Sequence, residues 1–205
     1  MNRDCFNHNY ILLYYFNIML NIYLKIKLKV LSKENIYFSQ KKEINTDYFR
    51  GEVVMIEVLN QNNSVEHEMY HVFFKKGALT TLHFHETEQI LITTNGKGIL
   101  CLFEENIIEN LEEPAKTIIL EDGDVVTIPP FIWHFHGSLK DDFAHIALRN
   151  RYRIDLSGNK IQAGNVWEKD FVDHLSYLNK NEMHELSLKI DQRVKEIVQN
   201  EMVKV

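Results

Sequence analysis

An all-β sandwich or barrel, preceded by an N-terminal extension and followed by helices, is the architecture this sequence predicts. Three observations carry it. Between Tyr48 and Arg153 the chain reads as short runs rich in β-branched and aromatic residues. Turn-forming clusters separate those runs, at "NQNNS", "KKG", "NGKG", "EDGD" and "SLKDD". No helical period interrupts the region, and short strands broken in this way build antiparallel sandwiches and barrels.

Residues 1–47 are read as the extension. Asn9 to Leu24 is apolar, but it is 16 residues long and carries Asn9, Asn17 and Asn21, short of the roughly 20 apolar residues of a membrane span. No small-residue cleavage site follows, which argues against a signal peptide. From Ile22 to Val30, apolar residues alternate with Tyr23, Lys25, Lys27 and Lys29, the pattern of a strand with one wet face. A loosely held or membrane-associated segment and a start at Met19 are the alternatives. Residues 48–153 then supply the strands: "GEVVMIEVL", "EMYHVFF", "LTTLHFH", "QILITTNG", "GILCLFE", "KTIILEDG", "DVVTIPP", "IWHFHG" and "FAHIALRNRY". Residues 154–205 begin with a polar linker, "IDLSGNKIQAGN". Trp167, Phe171, Val172, Leu175 and Leu178 follow at helical spacing. Beyond Asn181, residues Leu186, Ile190, Val194, Ile197, Val198 and Met202 form a second stripe, and both stripes are expected to pack on the barrel or on a second subunit.

The net charge of −6 argues against a nucleic-acid partner, which requires clustered Lys and Arg to displace counterions. Cys5 and Cys101 are far apart and form no CxxC pair, so neither a disulfide framework nor a thiolate zinc site is suggested. A cytoplasmic setting fits. The mixed charges on the polar faces of the C-terminal helices argue against a membrane role. No phosphate loop or nucleophile elbow occurs.

The chemistry-bearing stretch is "LHFHETEQILITTNGKG", Leu82 to Gly98. Successive side chains of a strand alternate between faces, so His83 and His85 share one face while Phe84 points away. Gln89 has the same parity, and a hairpin through "ETE" is expected to return its carbonyl oxygen beside the imidazoles. "IWHFHG" repeats the arrangement with His134 and His136. Imidazoles suit first-row transition metals, and a carbonyl oxygen completes a site for the harder of these. Glu86 and Glu88 are carboxylate alternatives, but they fall in the bend.

These residues resemble the cupins. Gly77, five residues, His83-Phe84-His85, three residues, Gln89, six residues and Gly96 are similar to the first cupin motif, with Gln where Glu is usual. Gly123, "DVVTI", Pro129-Pro130-Phe131, "IW" and His134 are similar to the second, with Phe131 in place of glycine and Ser138 in place of asparagine. The resemblance covers about half of the chain and implies the cupin double-stranded β-helix, a jelly-roll barrel. "EQILITTNGKG", "IPPFIWHFHG" and "FAHIAL" further resemble small single-domain cupins of the hydroxynitrile lyase type, which hold manganese or iron through three His and one Gln. By that resemblance His83, His85, Gln89 and His134 are the metal ligands, with zinc, cobalt and nickel also compatible. His145 and His136 face the substrate as catalytic residues.

Four neutral ligands leave the full charge on a divalent ion, a stronger Lewis acid for a small oxygenated substrate. Both His145 and His136 are of a type that exchanges protons near neutrality, and His145 is favoured as the base. Tyr70 and Val72 are expected to narrow the substrate pocket. Arg149 shares the parity of His145 and could meet a substrate carboxylate at the barrel mouth, but the favoured reading is an exposed stripe with Arg151 and Arg153; His67 and His71 are read as structural. Proton-transfer chemistry of lyase or isomerase type heads the functional readings. Iron-dependent dioxygenation and non-catalytic metabolite binding are the alternatives. Exposed sheet edges predict a homodimer.

Overall fold

The computed structural model of the chain describes residues 15–21, 32–104 and 113–204. Residues 15–21 are helical and exposed, while the alternation over 22–30 lies outside the described residues. Among the described residues, no helix is long and apolar enough to cross a membrane.

Two antiparallel sheets face each other. The first contains β1 (Gln40–Lys42), β3 (Val53–Leu59), β4 (His67–Phe74), β7 (Gln89–Asn95), β10 (Val125–Ile128) and β12 (Phe143–Asn150), in the order β1-β3-β4-β12-β7-β10. The second contains β2 (Phe49–Arg50), β5 (Leu79–Thr80), β6 (His83–His85), β8 (Gly98–Phe103), β9 (Lys116–Leu120), β11 (Trp133–Ser138) and β15 (Asn165–Trp167). Its centre is β11, with β5 and β6 along one edge and β8 along the other; β15 lies beyond β6 and β9 beyond β8. β13 (Tyr152–Ile154) and β14 (Lys160–Gln162) form a separate hairpin. Residues 160–162 and 165, expected in a linker, are therefore strand. Trp167 belongs to β15, opposite His83, rather than to a helical stripe.

Strand alternation divides the apolar residues between two cores. Val53, Val72, Phe74, Leu91, Leu100, Leu120, Ile128 and Phe143 fill the space between the sheets. On β8 the odd-numbered neighbours Ile99, Cys101 and Phe103 point the other way, as does Phe135 of β11. They would face water but for a helix. After α1 (Glu168–Asp173), α2 (Lys180–Lys204) lays Ile190, Val194, Ile197 and Val198 over this face. Burial there pushes the Cys101 thiol up to about 12, so it is an inert packing group.

One side chain ties the helices to the barrel. Arg50 reaches Glu168 at 3.0 Å and also contacts Asp191, and the Glu168 carboxylate in turn accepts from the Leu82 amide at 3.3 Å. Glu168 is 6% exposed, so losing its cation strands a charge in the interior. Arg50→Ala is expected to destabilise the fold by about 3–5 kcal/mol, read as a shift in urea midpoint, whereas Lys160→Ala, from an exposed pair, should shift it by less than about 1 kcal/mol. An equal effect of the two would remove this role from Arg50.

Two backbone positions fix the turns next to the site. Gly96 has φ +80°, and a Cβ there would meet Asp142 O at 2.3 Å, so no other residue fits the end of β7. Phe131 has φ +64°, the left-handed conformation at the position where the second motif usually carries glycine. Its N–H donates to His85 O at 2.8 Å, which holds the strained residue against β6. Phe131→Gly is expected to be more stable than Phe131→Ala by about 1 kcal/mol in thermal unfolding. Equal stability would show that the left-handed backbone carries no strain.

Candidate metal centre

Alternation along β6 and β11 turns His83, His85, His134 and His136 into the space between the sheets, and the antiparallel register sets His134 opposite His83. The ring centroids lie 4.9 Å apart for His83 and His85, 4.2 Å for His83 and His134, and 5.3 Å for His85 and His134. Gln89 and His145 come from the opposite sheet, on β7 and β12. The hairpin expected through "ETE" does not form. Residues 86–88 carry the chain across from one sheet to the other, because Arg153 and the Gly164 amide capture the Glu86 carboxylate, at 3.0 and 2.8 Å. That capture leaves Glu86 a structural residue rather than a ligand.

Hydrogen bonds at the rear of the rings determine which nitrogen faces the centre. His83 Nδ1 lies 2.9 Å from Thr81 O and His134 Nδ1 2.8 Å from Ile132 O. A carbonyl oxygen only accepts, so both rings are protonated at Nδ1 and present the Nε2 lone pair. His85 differs, because its Nδ1 lies 2.7 Å from Asn165 Oδ1 and also 2.7 Å from Arg149 Nη1, an acceptor and a donor on one nitrogen. Among the described residues, His85 Nε2, Gln89 Oε1 and His134 Nε2 are buried and make no hydrogen bond of normal geometry, although the Gln89 side chain lies near enough to His85 to favour its charged form. Buried polar atoms left without partners are costly, unless a ligand satisfies them. Imidazoles anchored through one nitrogen and free at the other are what a metal site requires. Such donors suit a divalent ion, and three of the histidines are grouped closely enough to hold one. That group is His83, His134 and His136, of which one ring nitrogen each lies within 4.8 Å of the others; His85 is not in it.

Burial dominates the electrostatics. It disfavours the imidazolium form of every ring in the cluster, holding His134 down to about 4 and His145 to about 3, and His83, His85 and His136 well below the usual histidine range. Arg149 adds to the effect at His85, and His145 adds to it at His136. All five rings are neutral at pH 7, the form in which imidazole binds metal.

His145 and His136 form a pair, with His145 Nε2 3.1 Å from His136 Nδ1. Phe74 packs against both rings. A cavity of about 250 Å³ runs from this pair past His83, His85 and Gln89 to the barrel mouth, with Tyr70 and Val72 on its wall. Trp167 stacks on His83 at 4.3 Å and on Tyr48 at 4.5 Å, which closes one side. Trp167 and Asn165 are absent from the sequence-derived site, since only long-range pairing of β15 with β6 brings them there. Arg149, expected in an exposed stripe, lies in the cavity wall with 13% of its side chain exposed. His71 sits on the outer face of β4, bonded to Ile36 O and Thr94 Oγ1, a structural role.

Residues 36–153 match the cupin family. No curated protein matches the chain. Among solved structures, a cupin-like protein of Thermotoga maritima MSB8 is 27% identical, over 71% of this chain and 97% of that one, with a TM-score of 0.47. The polyketide cyclase RemF of Streptomyces resistomycificus is 12% identical over 71% of this chain and 94% of that one, with a TM-score of 0.50. An oxalate decarboxylase of Lactobacillus farciminis in complex with formate is 13% identical over 73% of this chain, with a TM-score of 0.51, and this chain spans 42% of its length. The last two likenesses concern the fold alone. Matched to the family over more than half of its length, and folded into two facing sheets around paired histidines, this chain belongs to the cupins.

Proposed function

We propose that the protein is a metal-dependent cupin that catalyses proton transfer on a small oxygenated molecule, with lyase or isomerase chemistry as the outcome. The observation that carries this reading is the trio of buried atoms His85 Nε2, Gln89 Oε1 and His134 Nε2, which make no hydrogen bond of normal geometry among the described residues, beside a neutral histidine pair. His83, His85, Gln89 and His134 hold the ion. It supplies Lewis acidity that no carboxylate ligand weakens, and manganese or iron suits a donor set of three nitrogens and one oxygen.

The protein's own part is to hold and move a proton. His145 Nε2 and His136 Nδ1 share one hydrogen, so the two rings take up a further proton as a unit. Burial keeps both as free bases at neutral pH. Such a base is weak in the empty cavity. Negative charge developing on a bound substrate favours the imidazolium and restores its basicity where it is needed. Val72 and Phe74 exclude water from the pair, and Trp167 limits the substrate's approach to His83.

The test is solvent exchange. Protein purified without added metal is analysed for bound ions, then incubated in heavy water with small hydroxy ketones and aldehydes while NMR follows deuterium at carbon. Exchange is expected with the wild type, and a loss of about 100-fold or more with His145→Ala at unchanged metal content. Exchange that survives His145→Ala removes the base assignment. Stoichiometric oxygen uptake in place of exchange favours iron-dependent dioxygenation.

A further inference from the structure

The environment of His85 holds an unresolved competition. Its Nδ1 lies 2.7 Å from Asn165 Oδ1 and 2.7 Å from Arg149 Nη1. Asn165 Oδ1 is an acceptor and requires a hydrogen on Nδ1, whereas a guanidinium is only a donor and requires a lone pair there. One nitrogen serves one of them. If Arg149 prevails, the ring carries its hydrogen on Nε2 and has no lone pair for a metal. If Asn165 prevails, Nε2 is free to bind, and Arg149 Nη1 faces an N–H and loses its acceptor. Metal binding at His85 therefore selects Asn165 and releases one arm of a cation held in the cavity wall.

The rest of Arg149 is fixed. Its Nε contacts Glu68, which also accepts from the Tyr70 hydroxyl at 3.4 Å, so the guanidinium is tethered at one edge, and the residue lines the cavity. The cavity volume, about 250 Å³, lies at the lower end of small-molecule sites. We infer that Arg149, released by metal binding, receives a carboxylate of the substrate, so that the substrates of this site are small organic acids bearing a second oxygen for the metal. The inference rests on the proposed metal site and adds the substrate class. Guanidinium and carboxylate pair through charge-assisted hydrogen bonds, and lysine does not reproduce the planar fork.

The experiment loads the full chain with manganese, measures metal content, and titrates it by calorimetry with glycolate, lactate and malonate. Ethylene glycol, propane-1,2-diol and malonamide are their neutral counterparts. At least one acid is expected to bind 10-fold or more tightly than its counterpart. Arg149→Gln should abolish that preference with metal content retained, and Arg149→Lys should restore it only in part. The two partners of His85 should also act in opposite directions on manganese affinity. Asn165→Ala weakens it by about 10–100-fold, as loss of a supporting partner does, and Arg149→Gln leaves it unchanged or tighter. A wild type that holds manganese but binds acids and neutral counterparts alike overturns the inference and spares the metal site. So does a preference that survives Arg149→Gln. A wild type that takes up no manganese removes the metal reading, and the inference with it.

Discussion

Lowering the pH from 7 to 5 is expected to destabilise the metal-free protein by about 4 kcal/mol or more. His134 and His145 remain neutral in the fold down to about 4 and about 3, because burial penalises their charged forms. In the unfolded chain both take up a proton near the ordinary histidine value of about 6.5. Between those limits the unfolded state binds more protons than the native state, so stability falls as the pH falls. At pH 5 each group is about 1.5 pH units below its unfolded value, worth about 2 kcal/mol. His83, His85 and His136 are shifted in the same direction for the same first cause, burial, and steepen the loss. A total of this size rivals the whole stability of an ordinary domain, about 5–15 kcal/mol. Urea unfolding at pH 7, 6 and 5 checks it, and His145→Leu should flatten the slope by removing one titrating ring. A midpoint independent of pH over that range would mean that the cluster is hydrated and titrates as free histidine does.

What the sequence reveals of this site follows from the range of the interactions involved. Period two along a strand is a local property, so the shared faces of His83 with His85 and of His134 with His136 are legible, as is the outward turn of Phe84 and Phe135 into the helix-covered core. Parity gives a face but not a depth. It places Arg149 inward, yet only the pairing of β12 with β4 and β7 shows that the residue is in the cavity wall rather than at a wet edge. Gln89 illustrates the same limit. The bend "ETE" has hairpin length, and the capture of Glu86 by Arg153, 67 residues away, turns it into a crossing between sheets. Trp167 falls at helical spacing with Phe171 by coincidence, and its partner in the fold is His83. Phe131 stands out as a departure from a glycine position, while its left-handed backbone is visible only in the structure.

The ligand set itself carries the largest expected effect, because two selections of residues compete. Proximity groups His83, His134 and His136. Satisfaction of buried donors groups His85, Gln89 and His134, with His83 anchored at Nδ1 as His134 is. The second selection is the stronger, because His136 has one nitrogen engaged by His145 and, among the described residues, no carbonyl hydrogen-bonded to its ring. His83→Ala and His134→Ala are each expected to lower manganese affinity by more than about 100-fold, beyond the 10–100-fold that loss of a supporting partner produces. Gln89→Ala and His85→Ala should each lower it by at least about 10-fold, and His136→Ala should change it by less than that. Thermal unfolding gives an independent measure: an ion present at about 100 times its dissociation constant stabilises the wild type by about 2.7 kcal/mol, and the His134→Ala protein should show almost none of this shift. The ranking of His85 against His136 decides between the sets. If His136→Ala strips the ion while His85→Ala retains it, the centre is built on three histidines of a single sheet and Gln89 does not bind the metal. His136 would then be a ligand, and His145 alone would remain on the wall to take a proton.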